Sequence, residues 1–229
     1  MFGVLINVLT VVVGALVGLL FKKGIPERVS KAAMIGLGVC TLYIGISGSL
    51  CGENVLIIIA SVVLGAICGT LLDIDGAVNR LATKVEGKFR KEGQKTSLAE
   101  GFVSSTLLFC VGSMTVTGSI QAGLTGDHSI LITKAMLDLV SAMMLASSLG
   151  AGVLLSAGSV LVIQGGLVLL AGVISPLMRP EAVNEMTCTG SLLIIMIGTN
   201  LMDITKFKVA DYLPAILFAP ILHNIVSLF

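Results

Sequence analysis

The sequence predicts an all-α fold: a polytopic transmembrane bundle of about eight helices, forming a single domain over residues 1–229. Three observations predict it: a greasy composition, a series of apolar runs long enough to cross a bilayer, and the sorting of basic residues into alternate loops. Apolar residues make up 55% of the chain and charged residues only 12%, with a mean hydropathy of +1.06. A water-soluble domain of this length needs far more charge to cover its surface.

A helix crosses the hydrocarbon core with roughly 20 residues at 1.5 Å each. Breaks at charged or Gly/Pro/Asn clusters divide the chain into spans at about 3–21, 31–50, 54–72, 102–121, 130–148, 150–174, 186–203 and 210–228. The first run lacks a basic leader and a small-residue cleavage site, and Lys22-Lys23 follow it directly, so it is expected to stay in the mature protein. Lys22, Lys23, Arg28 and Lys31 follow the first span, while Arg80, Lys84, Lys88, Arg90, Lys91 and Lys95 follow the third. Lys206 and Lys208 follow the seventh. Eight crossings put all of these loops on one face, and short basic loops stay in the cytoplasm. Both termini are therefore expected outside the cytoplasm. A missed or invented helix would scatter the basic loops over both faces.

The polar stretch 73–100 reads as a cytoplasmic amphipathic linker and not as a second domain. Val78, Leu81, Val85 and Phe89 share one helical face among basic neighbours, which suits the inner membrane surface; a solvated loop is the plainer alternative. Its charge fits anionic lipids better than nucleic acid.

Laying the first three spans over the last three superposes Gly18 on Gly172, Pro26 on Pro180, Glu27 on Glu181 and Gly36 on Gly190 without gaps. Five crossings separate the copies, so the second would run inverted, as in many transporters. Chance alignment of glycine-rich helices stands as the alternative. Gly14/Gly18 and Gly65/Gly69 form G-x-x-x-G pairs, read as packing faces within the chain or between copies, and so compatible with a homodimer.

Ionisable groups inside a bilayer each cost several kcal/mol unless paired or hydrated. The fifth span carries Lys134 and Asp138 four residues apart on one face, with Ser141 nearby. Asp138 should lie on the order of 12 Å deep, and Lys134 a turn shallower, where it could snorkel outward. A structural ion pair and a substrate, cation or proton site both explain the pair. The fourth span is rich in hydroxyls, with Ser113, Thr115 and Thr117 in the run Gly112-Ser-Met-Thr-Val-Thr-Gly118 and Gln121 beyond it. This run is either an ordinary helix whose hydroxyls bond back to their own turn or an unwound segment that coordinates an ion. Asn7, Gln164, Asn200 and Asn224 add amides to the first, sixth, seventh and eighth spans.

Five cysteines without C-x-x-C or His-paired spacing suggest free thiols. His128 and His223 lack metal-ligand spacing, so neither a metal nor another cofactor is expected, and no Walker motif couples the chain to ATP.

Several runs give the chain a resemblance. They are Phe109-Cys-Val-Gly-Ser-Met114, Gly118-Ser-Ile-Gln121, Gly126-Asp127, Thr133-Lys134 with Leu137-Asp138, Ser147-Ser-Leu-Gly-Ala-Gly152 and Leu213-Pro-Ala-Ile-Leu-Phe-Ala-Pro220. Over essentially its whole length the chain resembles the YdfK/YqgA-type family of bacterial membrane proteins (domain of unknown function 554). The family pattern has a glycine after the Leu-Asp pair, where this chain has Leu139. The resemblance implies a bacterial inner membrane and brings no established substrate or activity.

The expected function is a secondary transporter or ion channel, with a polar path along the fourth and fifth spans. The candidate ligands are Asp138, Lys134, Ser113, Thr115, Thr117, Gln121, Ser141, Asn7, Gln164 and Asn200. The alternative is a structural or assembly membrane protein without transport. An intramembrane enzyme is not expected, because no nucleophile–base or metal constellation is present. The expected partners are membrane lipids and a small solute or ion.

Overall fold

The computed structural model describes residues 1–22, 27–80, 98–111, 113–176 and 178–227, and every regular element among them is helical. The elements are α1 (Phe2–Lys22), α2 (Glu27–Ser49), α3 (Val55–Leu71), α4 (Ile74–Arg80), α5 (Leu98–Cys110) and α6 (Ser113–Leu124). They continue with α7 (Ser129–Leu149), α8 (Gly152–Leu169), the short α9 (Ala171–Ile174), α10 (Pro180–Leu201), a 3-10 turn (Val209–Tyr212) and α11 (Ala215–Val226).

Five segments are each long and apolar enough to cross a membrane, and two bent pairs bring the number to 7. In α2 the apolar part, Met34–Ser49, is shorter, because Arg28 and Lys31 charge its first turns. About eight crossings therefore stand, with different edges from those the apolar runs suggested.

The ends of the helices sort into two layers. At the amino-terminal end Phe2 meets His128, and Glu185 meets the turn at Glu53 and Asn54. At the opposite end, here the linker end, Leu98–Phe102 meets Gly152. There Asp75 meets Asp211. Such sorting requires that α5 and α6 together make one crossing. They do so with a bend of 58°, while α3 and α4 bend by 52°.

Exposed Leu5, Leu9, Leu16 and Leu20 give α1 an outward apolar stripe, and comparable residues line most other helices. Such an exterior suits hydrocarbon, not water. The inward stripe of α1 runs through Val4, Asn7, Val11 and Ala15, all fully buried. Gly14 and Gly18 lie on the same face, and a methyl group on either would collide with a backbone carbonyl of α7, that of Leu139 or of Met143 respectively. Helices α1 and α7 thus run parallel in backbone contact. The glycine expected after Asp138 is not needed, because α1 supplies the small residue from the other side.

Gly65 and Gly69 are likewise covered, by Ala215 and by the Asp211 carbonyl. Both G-x-x-x-G faces are therefore used within the chain. Gly18 and its proposed repeat mate Gly172 do not share an environment, since a Cβ at Gly172 would meet nothing within 4 Å. Pro26, Leu81, Val85 and Phe89 lie outside the described residues; Val78 of the expected amphipathic face lies in a cleft at the linker end.

Gly14→Ala should destabilise the protein by about 1–3 kcal/mol, the usual cost of overpacking. Gly158→Ala, at a site with nothing within 4 Å, should leave it unchanged or slightly more stable. Thermal unfolding of both variants in one detergent checks the pair of outcomes.

Candidate functional site

The contact between α1 and α7 brings Asn7 to the middle of α7. There the Lys134 ammonium donates to Asp138 Oδ2 within an ion pair one helical turn long. Asn7 Nδ2 donates to the same oxygen at 3.0 Å and to Gln164 Oε1 of α8 at 3.2 Å. Thr10 Oγ1 donates to the Asn7 carbonyl at 2.8 Å. Three helices are thereby tied around one carboxylate.

Burial makes this network matter. Lys134 and Asp138 are 6% and 5% exposed, and Asn7 and Gln164 are fully buried. The lysine does not snorkel to a membrane surface; its side chain turns along α7 to the carboxylate. Separating two charges in a low-dielectric interior costs several kcal/mol, so each holds the other in place. Gln164 Nε2 is buried without a partner among the described residues, and so is Ser119 Oγ on α6. Unpaired buried donors of this kind each cost about 1–3 kcal/mol.

The other expected ligands do not join the pair. Ser141 is half-buried on α7 and makes none of the bonds that hold it. Thr115 is buried and donates to the Phe109 carbonyl at 3.1 Å, spanning the break between α5 and α6. The hydroxyl-rich fourth span is therefore a broken helix, although Ser105 does bond back to Gly101 within α5. Thr117 is exposed, and the Ser113 side chain lies outside the described residues.

Gln121 Nε2 donates to Asp127 Oδ2 at 2.7 Å in the turn before α7, far along the chain from Asp138. The Ser129 hydroxyl and amide, more than Gln121, hold the Asp127 carboxyl below its usual pKa. Asn200 sits at the linker end. Its amide nitrogen donates to the Phe207 carbonyl at 2.8 Å and its oxygen accepts from the Phe207 amide at 2.9 Å, which fixes the turn after α10.

Two features are not evident from the sequence. Glu185, placed by the apolar runs just before a span, is 1% exposed and lies within α10. Its Oε1 accepts the backbone amides of Glu53 at 2.8 Å and Asn54 at 2.7 Å, anchoring the start of α3, while its Oε2 has no partner among the described residues. The Pro at the first position of α10, after an extended Arg179, is the sequence signal that could have moved the helix start outward. The second feature is a cleft of about 330 Å³ at the linker end, between α4, α5 and the turn after α10. Among the described residues no group of three or more His, Cys, Asp or Glu is placed to hold a metal ion.

Comparison with known proteins adds a family. The model of the family described as "Protein of unknown function (DUF554)" matches residues 2–224. The "Uncharacterized membrane protein YdfK" of Bacillus subtilis (strain 168) is 30% identical over 233 residues, covering 100% of this chain and 98% of that protein. The "Uncharacterized protein YqgA" of Escherichia coli (strain K12) is 32% identical over 220 residues, covering 95% and 94%. No solved structure matches the chain.

Lys134→Met should cost about 3–5 kcal/mol by leaving a buried carboxylate alone, and Lys134→Met/Asp138→Leu should recover most of that loss. Denaturant titration of the purified variants in micelles measures both. A single variant as stable as the wild type would contradict the buried pair.

Proposed function

We propose for this chain, which belongs to the DUF554 family, the function of a secondary transporter or ion channel in the bacterial inner membrane. Its polar path is formed by the broken span α5/α6 and by α7. One observation carries the reading: a lysine–carboxylate pair is buried near the middle of α7 and bonded by the Asn7 amide of α1, which also donates to Gln164 of α8, whose own amide donor has no partner among the described residues. A purely structural fastener would be expected to satisfy every donor it buries.

The pair is a switch whose counter-ion is built in. A proton or cation that reaches Asp138 competes with the Lys134 ammonium for the same oxygen, and its arrival frees the lysine and the Asn7 amide. Gradients of protons or ions provide the drive, since the chain carries no nucleotide-binding motif. The broken span supports this reading, because helix breaks at membrane depth are tolerated where they line a protein interior or cavity. The sorting of basic residues supports a cytoplasmic linker end, with both termini outside the cytoplasm. An inverted repeat of the first and last three spans remains part of the proposal as scaffold. No catalytic residue is proposed, and a homodimer would have to use a surface other than the two G-x-x-x-G faces.

The alternative, a structural or assembly protein, is favoured by the close glycine packing that seals α1 on α7. Flux into liposomes decides between them. Wild-type protein should carry protons or a monovalent cation down an imposed gradient, and Asp138→Asn should abolish this while eluting as the same folded species. Equal flux in both would remove Asp138 from the path; no flux under any gradient, or unfolding of Asp138→Asn, would favour the structural reading.

A further inference from the structure

The cleft at the linker end is lined by three carboxylates, Asp75, Glu100 and Asp203, against one ammonium, Lys206. Part of its wall is apolar, with Val103 and Ile197 from the bundle and Phe207 from the turn after α10. We infer that this cleft binds a small organic cation, an ammonium group on an apolar body, through Glu100 and Asp203.

Four features carry the inference beyond a surplus of acidic residues. Ser104 is only 3% exposed, lines the cleft, and its hydroxyl has no partner in the described structure. A helix serine ordinarily bonds back to its own turn, as Ser105 beside it does. Glu100 and Asp203 make no ion pair with any described residue, and neither does Lys206 across from them. The wall is also preformed. Asn200 clamps the backbone of Phe207 through both its oxygen and its nitrogen and accepts from the Thr205 hydroxyl at 2.8 Å, while Asp203 takes a left-handed φ of 58° that turns the chain back. Finally, the volume of about 330 Å³ suits a ligand of modest size, at the lower end of ordinary small-molecule pockets.

Charge and shape select the ligand class together. A bare metal ion would want a compact set of oxygens and would leave the apolar walls unused. An amine on a short hydrocarbon chain uses both, and the exposed Phe207 ring offers a cation an aromatic face. The site does not depend on the transport reading, because binding is measured without flux.

Isothermal titration of 1,4-diaminobutane into the protein in phosphatidylcholine nanodiscs tests it, with 1,4-butanediol and potassium chloride as ligand controls. Saturable binding is expected for the diamine alone. Affinity should fall about tenfold or more in Glu100→Gln and in Asp203→Asn, the usual scale for losing a charge-assisted contact. Asp73→Asn, an acidic site at the same end but outside the cleft, should bind as the wild type does. Asparagine tolerates the left-handed backbone at 203, so that variant decides the matter even if Glu100→Gln folds poorly. No saturable binding, equal binding of the diol or potassium, or unchanged affinity in the two cleft variants would overturn the inference.

Discussion

Backbone contact between α1 and α7 is the constraint on which the rest of the interior depends. Gly14 and Gly18 leave room for the α7 backbone where a methyl group would collide with it, and their carbonyl neighbours Leu139 and Met143 lie one helical turn apart on α7. With the helices that close and parallel, Asn7 must fall beside Asp138, two turns before Gly14. Any larger residue at these glycines would move the amide away from the carboxylate and leave two buried charges with less support.

The remaining helices close the interior on this pair. Helix α8 adds Gln164, α5 and α6 bend past it, and α10 is the most enclosed of the single spans. Helix α10 serves the ends as well as the middle. Glu185 fastens the turn before α3 at one end, and Asn200 fastens the turn beside the cleft at the other. Polar groups on α10 thus tie the loops, whereas those of α1, α7 and α8 meet at mid-depth. A bundle with so few charges has put nearly all its described buried ionic chemistry at Lys134, Asp138, Glu185 and Asp211.

The membrane class, the number of crossings and the pair on α7 were legible in the sequence because each is a property of spacing along one helix or of charge sorted between loops. The partners were harder. Asn7 and Gln164 could be named as buried amides, but their meeting at Asp138 is set by rotation of α1 and α8, which apolar helices encode only weakly. Thr117, Gln121 and Asn200 were grouped with the pair on chemistry alone, yet they face outward or lie near the helix ends. Lys134 was open to two fates, and the nearby carboxylate won over the membrane surface. Glu185 was missed because an apolar window ends at the first charge, while a helix with a proline start continues outward through it. The cleft could not be read at all, since it joins residues from three distant segments.

On the transport reading, the Lys134–Asp138 pair opens when the protein works. Carbodiimide modification of Asp138, read by mass spectrometry on protein reconstituted in vesicles, tests this most directly, since the reagent takes protonated carboxyls in apolar surroundings. Asp138 should be nearly unreactive with the pair intact, reactive in Lys134→Met, and increasingly reactive in the wild type as an inward-directed proton gradient is imposed. An Asp138 that reacts in Lys134→Met but stays inert in the wild type under every gradient would mean that the pair is a fixed strut.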